Sequence, residues 1–483
     1  MHKMSPLLTI CDIETADKKL YTFIIEYTTS LFYLYNMEDI MANPILPLWE
    51  YIPDGEPRVF GYRVYLYGSH DNAAESDFCD NKLKVWSAPL NDLNNWQCHG
   101  HSFHTRPDRD HKSDTEGRTD HRLFAPDVIE KNGKYYLYAY IVGSKGCVGV
   151  SDRPEGPFEL LSEYKYLAED AGDDGIYNDA GVLVDDDGRV YIYYGFTESN
   201  FNEIDPQNMY EIIRGSYRRG VIDDSDSAPQ EQRFFEASSP RKINGTYYLI
   251  YSPCRGSRLA YATSDKPQGP FTYRGYIVDN GVDYPGGNNH GSVCCINGQW
   301  YIFYHRMTNN TIMSRRACVE KIEILSDGTI PPVEMTSLGF EESLNPYKIT
   351  PAEIACILKG GCFITEKDIF TRSIVNITDG NVMGYKYFDF GNDYSTKTMK
   401  LAVKVRGMGT KTKLKIYADG CEDGELLGEC EIGTADGVYT AAVKALTGVH
   451  SIFFKAEHGV EGWTAQYFEN KPLFEFEEFT FMK

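Results

Sequence analysis

Three acidic residues occupy equivalent places in a repeated pattern of the sequence. Asp54, Asp179 and Glu236 each precede the central tyrosine of a tyrosine-rich segment, by 11, 12 and 12 positions. A single acid beside a glycine or proline is usually a turn residue, but three at matched offsets are expected to converge. Converging carboxylates raise one another's pKa and cost stability, so such a set indicates a function. Glycoside hydrolysis uses such a set of acids. It needs a carboxylate that activates water, a carboxylic acid that protonates the leaving oxygen, and a means of separating the pKa values of these two groups.

The tyrosine-rich segments are short predicted strands that occur five times. They span residues 63–67, 134–138, 189–193, 246–250 and 299–303. Their central aromatic residues are 71, 55, 57 and 53 positions apart, close to the length of a four-stranded propeller blade with its loops. The sequence therefore predicts an all-β fold with a five-bladed β-propeller over residues 43–340. Because the first strand of each blade lines the central axis, acids just before or inside these strands meet at one mouth of the propeller.

Two further regions flank the predicted propeller. Residues 345–483 contain period-two segments such as 400–405 and 413–417, which predict a β-sandwich of the jelly-roll type. Residues 1–40 precede the run that begins at Asn43, and we expect them to be an extension that adds little to the fold.

Composition narrows the possible partners. The formal net charge of −22 argues against nucleic acid and anionic membranes, because Lys and Arg drive phosphate binding. No apolar run is long enough to span a membrane. The 12 cysteines are scattered without a CxxC motif, which predicts mostly buried thiols in a reducing compartment. Residues 20–35 make a poor signal peptide, so a cytoplasmic location is expected while secretion stays open. The oligomeric state is not indicated.

A histidine-rich stretch interrupts the rhythm of the blades. Residues 99–122 hold five of the 11 histidines among many charged residues, and they lengthen the first interval to 71. A metal cluster, with Cys98 as a further ligand, is one interpretation. The irregular spacing and the charge density favour a solvated loop between two blades, at the rim of a cleft.

Several motifs follow one another in order along the predicted propeller. They are the run Asn43-Pro44-Ile45-Leu46 leading to Asp54, Phe124-Ala125-Pro126-Asp127, Asp179 followed by Asp185-Asp186-Asp187-Gly188, Glu236, His290-Gly291-Ser292 and Tyr304-His305-Arg306. In this order they resemble glycoside hydrolase family 43, the inverting β-xylosidases and α-L-arabinofuranosidases. The resemblance implies that Asp54 is the general base, Asp179 the residue that adjusts the pKa of the acid, and Glu236 the general acid. It also implies removal of terminal pentose units from arabinoxylan or its oligosaccharides, with no cofactor required.

The resemblance extends to residues around the three acids. It implies that His290 lies on the propeller axis and helps to hold water or a structural calcium ion. It implies that Arg306 contacts the innermost sugar and Asp179. Phe124 stands where many relatives have tryptophan, so it is expected to wall the sugar pocket. Asp127 and Trp49 are further candidates for substrate contacts, or residues that pack blades together.

Alternatives stay open for both predicted domains. A catalytically silent sugar-binding propeller would share the fold, and so would a retaining fructan-type glycosidase, although its Arg-Asp-Pro motif is absent. The C-terminal region resembles family 6 carbohydrate-binding modules, with Trp463 and Tyr467 as a potential sugar platform. The asparagine expected near the last strand is replaced by the run Leu473-Phe474-Glu475-Phe476, which favours a module that braces the propeller.

Overall fold

The computed structural model describes residues 42–142, 146–163, 177–223, 225, 227–368, 370–392 and 395–483. The extension predicted for residues 1–40 lies outside these residues. Residues 42–483 belong to one compact unit. Within the described part of the chain, no helix has the length and hydropathy that a membrane span requires.

Five antiparallel sheets succeed one another along residues 56–322. The first contains β1 (Glu56–Phe60), β2 (Arg63–Tyr67), β3 (Lys82–Pro89) and β4 (Gln97–His104). The second contains β5 (Leu123–Lys131), β6 (Lys134–Ile141), β7 (Cys147–Ser151) and β8 (Glu159–Glu163). The third contains β9 (Gly181–Val184), β10 (Val190–Tyr194), β11 (Asn200–Ile204) and β12 (Arg218–Arg219). The fourth contains β13 (Phe234–Ile243), β14 (Thr246–Pro253), β15 (Arg258–Ser264) and β16 (Thr272–Asp279). The fifth contains β17 (Ser292–Ile296), β18 (Gln299–Thr308) and β19 (Thr311–Ile322).

These sheets are the blades of a five-bladed β-propeller, as the sequence predicts. The tyrosine-rich segments form the second strand of each blade, namely β2, β6, β10, β14 and β18. Their apolar side chains are buried in clusters between neighbouring blades, as when Tyr191 and Tyr193 share a core with Leu249 and Tyr251. The periodic tyrosines are therefore packing residues, and their spacing follows the blade repeat.

The N-terminal end of the described chain closes the ring. The backbone N–H of Ile45 donates to the carbonyl of Ala317 on β19 at 2.9 Å. The side chain of Asn43 accepts from the backbone N–H of Val319 at 2.8 Å and donates to Glu320 at 3.0 Å. The three-stranded fifth blade thereby gains a fourth segment from the beginning of the propeller.

Residues 350–482 form two packed sheets. The strands are β20 (Thr350–Pro351), β21 (Ile357–Lys359), β22 (Phe363–Glu366), β23 (Arg372–Val375), β24 (Val382–Asp389), β25 (Thr398–Gly407), β26 (Thr412–Ala418), β27 (Glu425–Ile432), β28 (Gly437–Lys444), β29 (Val449–His458) and β30 (Phe474–Met482), with short 3-10 helices at Ala352–Ile354 and Gly462–Tyr467. One sheet has the order β22-β23-β30-β25-β28 with β20 beside β30, and the other has the order β21-β24-β29-β26-β27. Phe479 of β30 packs against Tyr385 and Phe454 of the second sheet, with ring centroids 4.8 and 4.9 Å apart, so aromatic rings fill the space between the sheets. The predicted β-sandwich is present.

Buried polar contacts join this sandwich to the propeller. Arg316 of β19 lies 3.3 Å from Glu353, and both side chains are almost fully buried. The Tyr51 hydroxyl donates to Glu366 of β22 at 2.7 Å. The backbone N–H groups of Ser337 and Leu344 donate to carbonyls of Lys386 and Tyr387. These hydrogen bonds show that the two regions are in contact. The domain boundary between residues 340 and 345 stays a prediction.

Candidate active site

The three acids lie at the same end of the inner strands of their blades. Asp54 precedes β1, Asp179 precedes β9, and Glu236 lies near the beginning of β13. Asp54 and Asp179 both have left-handed backbone conformations, with φ of 57° and 47°. Aspartate adopts this region more readily than most residues, and its occurrence at matched positions shows that the first and third blades turn in the same way.

A close approach of two strands brings Asp179 to Glu236. A Cβ atom on Gly181 would lie 2.1 Å from the carbonyl oxygen of Ser238, so only glycine lets β9 and β13 come this near. The backbone N–H of Ala237 then donates to the Asp179 carboxylate. The residue after Glu236 is thus directly hydrogen-bonded to Asp179.

Asp54 is buried and has a defined partner for each oxygen. Its Oδ1 accepts from Arg315 Nη1 at 2.8 Å, and its Oδ2 accepts from the Ser69 hydroxyl at 2.6 Å. Burial opposes ionisation, but the charge of Arg315 is the main influence in the other direction, helped by His290, His305 and Ser69. The net effect lowers the pKa of Asp54, so this carboxylate is ionised at neutral pH.

Arg315 is held in place by a second carboxylate. Its Nε and Nη2 donate to the two oxygens of Asp71, both at 2.9 Å, in a bidentate pair. The guanidinium also lies over the Phe78 ring, 5.0 Å from its centroid. Because Asp71 fixes two of its nitrogens, Arg315 presents the third to Asp54 with little freedom to move away.

Two histidines flank Asp54 from the fifth blade. His290 Nδ1 lies 3.8 Å from Asp54 Oδ1 and 3.9 Å from Asp179 Oδ2, so it stands between these two acids. His305 Nδ1 accepts from the backbone N–H of Asp54 at 3.3 Å, while its Nε2 donates to the carbonyl of Asn288 at 3.0 Å. Burial, and then the charge of Arg315, lower the pKa of His305 to about 3, which keeps the ring neutral. His305 thus positions Asp54 through hydrogen bonds and carries no charge.

The other two acids have raised pKa values. Burial, followed by the charge of Asp54, raises the pKa of Glu236 to about 7. Burial raises the pKa of Asp179 to about 7, where the charges of Glu236 and Asp54 add to the effect of burial and His290 opposes it. The site therefore combines an ionised Asp54 with two carboxyls that keep protons up to neutral pH.

Phe124 and Trp49 lie on segments that neighbour the acids. Phe124 is the second residue of β5, and the next backbone N–H, that of Ala125, donates to Ser69 Oγ at 2.8 Å. Phe124 is therefore next in sequence to a residue of the hydrogen-bond chain that holds Asp54, and its role as a pocket wall stays a prediction. Trp49 is 45% exposed, and its ring packs 5.7 Å from that of Trp86 on β3. Its role in binding substrate stays a prediction.

Asp127 is part of a buried polar ring around the axis. Its carboxylate accepts from Arg58 at 3.0 and 2.7 Å and from the backbone N–H of Val182 at 2.8 Å. Arg58 also lies 3.3 Å from Glu56, whose other oxygen accepts from Ser239. With 2% exposure and these partners, Asp127 joins inner strands of neighbouring blades, and the structure favours packing over the predicted substrate contact.

The predicted contact between Arg306 and Asp179 is wrong. The Arg306 guanidinium is 1% exposed and donates to the Tyr304 hydroxyl and the Thr336 carbonyl, beside Glu320. Side chains alternate along a strand, and His305 faces Asp54, so Arg306 faces away from it. Arg315 is the arginine on the side of the acids.

Arg315, Ser69 and His305 are functional candidates that the sequence did not single out by role. The adjacent pair Arg315-Arg316 within β19 was a usable signal, because alternation sends one arginine to each face of the strand. Ser69 carries no comparable signal, since serines are common in turns.

Comparison with known proteins agrees with this geometry. The model of the glycosyl hydrolases family 43 matches residues 41–330, more than half of the chain. The chain belongs to this family and is an inverting glycoside hydrolase.

Two relatives and one solved structure illustrate the similarity. The xylosidase/arabinosidase of Thermoclostridium stercorarium is 36% identical over 479 residues, covering 85% of this chain and 95% of the relative. The arabinoxylan arabinofuranohydrolase of Bacillus subtilis (strain 168) is 27% identical, covering 84% of this chain and 88% of the relative. The crystal structure of a β-xylosidase/α-arabinofuranosidase from a compost microbial metagenome, in complex with xylotriose and in a calcium-free form, is 27% identical with a TM-score of 0.50. It covers 60% of this chain and 97% of that one. The match ends at residue 330, so the resemblance of the C-terminal region to family 6 carbohydrate-binding modules stays a prediction.

Proposed function

We propose that this enzyme removes terminal pentose units, α-L-arabinofuranose or β-D-xylose, from arabinoxylan or its oligosaccharides. The observation that carries the proposal is the opposite displacement of two pKa values in one buried site. That of Asp54 is lowered and that of Glu236 is raised to about 7. An inverting glycosidase needs this combination of an ionised base and a protonated acid. The substrate class follows from the named activities of the relatives, a xylosidase/arabinosidase and an arabinoxylan arabinofuranohydrolase.

The residues divide the reaction between them in a single displacement. Asp54 removes a proton from a water molecule, which attacks the anomeric carbon from the face opposite the leaving group. Glu236 gives its proton to the departing glycosidic oxygen in the same step. Asp179, joined to the segment of Glu236 through the N–H of Ala237, is electrostatically coupled to the acid, so ionising one of these two carboxyls keeps the proton on the other. Arg315 stabilises the ionised form of Asp54 and stops it from holding a proton.

The environment of His290 fits a hydrated calcium ion. The side-chain oxygens of Asn288 and Asn289, adjacent in sequence, are buried and have no hydrogen-bond partner within the described residues. Calcium prefers oxygen ligands and often keeps water in its shell. Asn288 and Asn289 would supply oxygen ligands to such an ion, and His290 would hold water of its shell; the ion would supply positive charge on the side of the site where His290 lies. The proposed hydrolysis itself needs only the side chains named above.

For the sandwich we propose a bracing role. Arg316, Tyr51 and Ser337 of the propeller side each have a buried or half-buried polar partner in residues 353–386. Tyr51 lies three positions before Asp54, so the contact with Glu366 fixes the segment that carries the base. Trp463 and Tyr467 are 81% and 58% exposed, but their rings stand at 84° to each other, whereas a flat sugar platform needs rings that share a plane. A reducing, cytoplasmic compartment stays part of the proposal, supported by buried thiols such as Cys79 and Cys318.

Side-by-side assays on para-nitrophenyl α-L-arabinofuranoside and β-D-xyloside test the proposal. We expect turnover of at least one substrate and release of the inverted anomer, which proton NMR detects early in the reaction. Asp54→Ala should lose activity on every substrate. Glu236→Ala should retain turnover of the activated aryl glycosides and lose natural oligosaccharides, because only the poorer leaving group needs a proton. Equal losses on both kinds of substrate in Glu236→Ala would contradict its role as the acid. No hydrolysis of pentosides or arabinoxylan by the folded wild type would contradict the proposed function.

A further inference from the structure

A second cluster of chemically competent side chains lies on the first blade, apart from the three acids. His101 and His104 belong to β4, and Asp108 follows on the segment that leads towards β5. One ligand atom from each of the three residues lies within 4.8 Å of the others. Two imidazoles and one carboxylate form a mixed nitrogen and oxygen set, typical of zinc and related transition metals.

The buried histidine of this cluster lacks a partner. His104 is 3% exposed, and its Nδ1 is buried without a hydrogen-bond partner within the described residues. A buried polar atom without a hydrogen-bond partner is destabilising, so this nitrogen needs an explanation. The ring of His101 stands nearly perpendicular to that of His104, with centroids 5.1 Å apart. The two rings lie side by side, and each offers one nitrogen to the 4.8 Å cluster of ligand atoms.

A neighbouring lysine contacts the carboxylate of this cluster. Lys82 on β3 donates to Asp108 Oδ2 at 3.0 Å and so holds this carboxylate near the two histidines.

Asp108 is held where a ligand would be needed. Its Oδ1 accepts from the backbone N–H groups of Asp110 and His111 at 2.9 and 2.8 Å. His111 Nδ1 lies 3.3 Å from the same oxygen. These contacts fix the turn after β4 and direct its carboxylate to the two histidines, as outer-shell partners do in metal sites.

We propose that His101, His104 and Asp108 bind one zinc-class divalent ion. The ion would satisfy the orphaned nitrogen of His104 and clamp the end of β4 to the long segment 105–122. That segment leads into β5, in which the backbone N–H of Ala125 donates to Ser69, the hydrogen-bond partner of Asp54. The site is structural, because none of its ligands is among the contacts of Asp54, Asp179 and Glu236. Its existence does not depend on the pentosidase activity proposed above.

Zinc titration of the metal-depleted full-length protein tests this proposal. The protein is treated with chelator, passed over a desalting column and titrated with ZnCl2 by calorimetry, and retained zinc is measured by elemental analysis. We expect one equivalent of zinc per chain and a higher midpoint of thermal unfolding with zinc than without. His101→Gln and Asp108→Asn should each weaken zinc binding at least tenfold and abolish the thermal shift. These positions are half-buried and exposed, so both variants are expected to fold.

Two matched controls come from the same strand. His99 contacts Ser87 and Cys98 is exposed, and neither belongs to the cluster. His99→Gln and Cys98→Ser should keep the affinity of the wild type. The proposal is overturned if the wild type retains no zinc. It is also overturned if both ligand variants bind zinc as the wild type does, or if binding is lost in Cys98→Ser, which would place the ion on an exposed thiol.

Discussion

Arg315 is the residue through which the charge state of the base can be tested. Its Nη1 lies 2.8 Å from Asp54 Oδ1, and it is the largest influence that lowers the pKa of Asp54. At an effective dielectric constant of about 20, two unit charges about 4 Å apart interact by about 4 kcal/mol. Ser69 and His290 would still favour the ionised form. We therefore expect Arg315→Gln to raise the pKa of Asp54.

The direction of the effect on activity follows from the role of Asp54. A base must be ionised, so the rate falls as pH drops through its pKa, and a higher pKa moves this acidic limb to higher pH. The limb is measured as kcat/KM on an aryl pentoside against pH, which reports the free enzyme. Arg315→Lys keeps a positive charge and should shift the limb less than Arg315→Gln does.

Stability needs a separate control, because Arg315→Gln leaves Asp54 and Asp71 buried without their partner. Breaking such a pair costs about 3 to 5 kcal/mol. Arg316 is the matched position: it is the next residue on β19, equally buried, and paired with Glu353 at 3.3 Å on the opposite face. Arg316→Gln should lower the midpoint of thermal unfolding without moving the acidic limb. A folded Arg315→Gln enzyme whose acidic limb coincides with that of the wild type would refute the reasoning.

Two further predictions concern the acid and the sandwich. Asp179→Asn should move the basic limb of the pH profile to lower pH. The charge of Glu236 raises the pKa of Asp179, and this interaction is reciprocal. When Asn replaces Asp179 the interaction is lost, so Glu236 loses its proton at lower pH. A basic limb that does not move, measured on the same aryl pentoside, would contradict the proposed role of Asp179. Deleting residues 345–483 should make the propeller insoluble or lower its unfolding midpoint, because Arg316 and Tyr51 lose buried partners. A soluble truncated enzyme with full activity on aryl pentosides and an unshifted midpoint would instead show that the sandwich is not a brace.

The repeating parts of the fold were the parts that the sequence could predict. The tyrosine-rich segments recur because every blade packs its second strand in the same way. The period of the repeat could therefore be predicted from the positions of central residues such as Tyr65 and Tyr248 in the sequence. The matched offsets of Asp54, Asp179 and Glu236 predicted that the three acids lie together, because residues just before or within the inner strands meet at one mouth of the propeller. The position of a residue within a repeat depends only on its sequence neighbours, so it can be predicted from one sequence.

The partners of the acids were harder to predict, because they depend on which face of a strand meets which loop. From the sequence, Arg306 and Arg315 are equally good candidates for the arginine that contacts the acids. Only the pairing of β18 with β19 decides between them. Met307 lies opposite Arg315 and Arg306 lies opposite Arg316, so one arginine pair faces the sandwich side and Arg315 faces the acids. Asp127 was ambiguous for the same reason, since its partner Arg58 is 69 positions away.

The closure of the ring has a consequence for synthesis of the protein. Asp54 is translated early, but the arginine that ionises it is 261 positions later. Asn43 and Ile45 likewise wait for β19, which is completed only at Ile322. A nascent chain that stops in the fourth blade therefore carries an unpaired carboxylate at its future centre and an open ring edge, the kind of exposed strand that favours misassembly. Hydrolytic competence therefore requires residues from both ends of the propeller, Asp54 and Arg315.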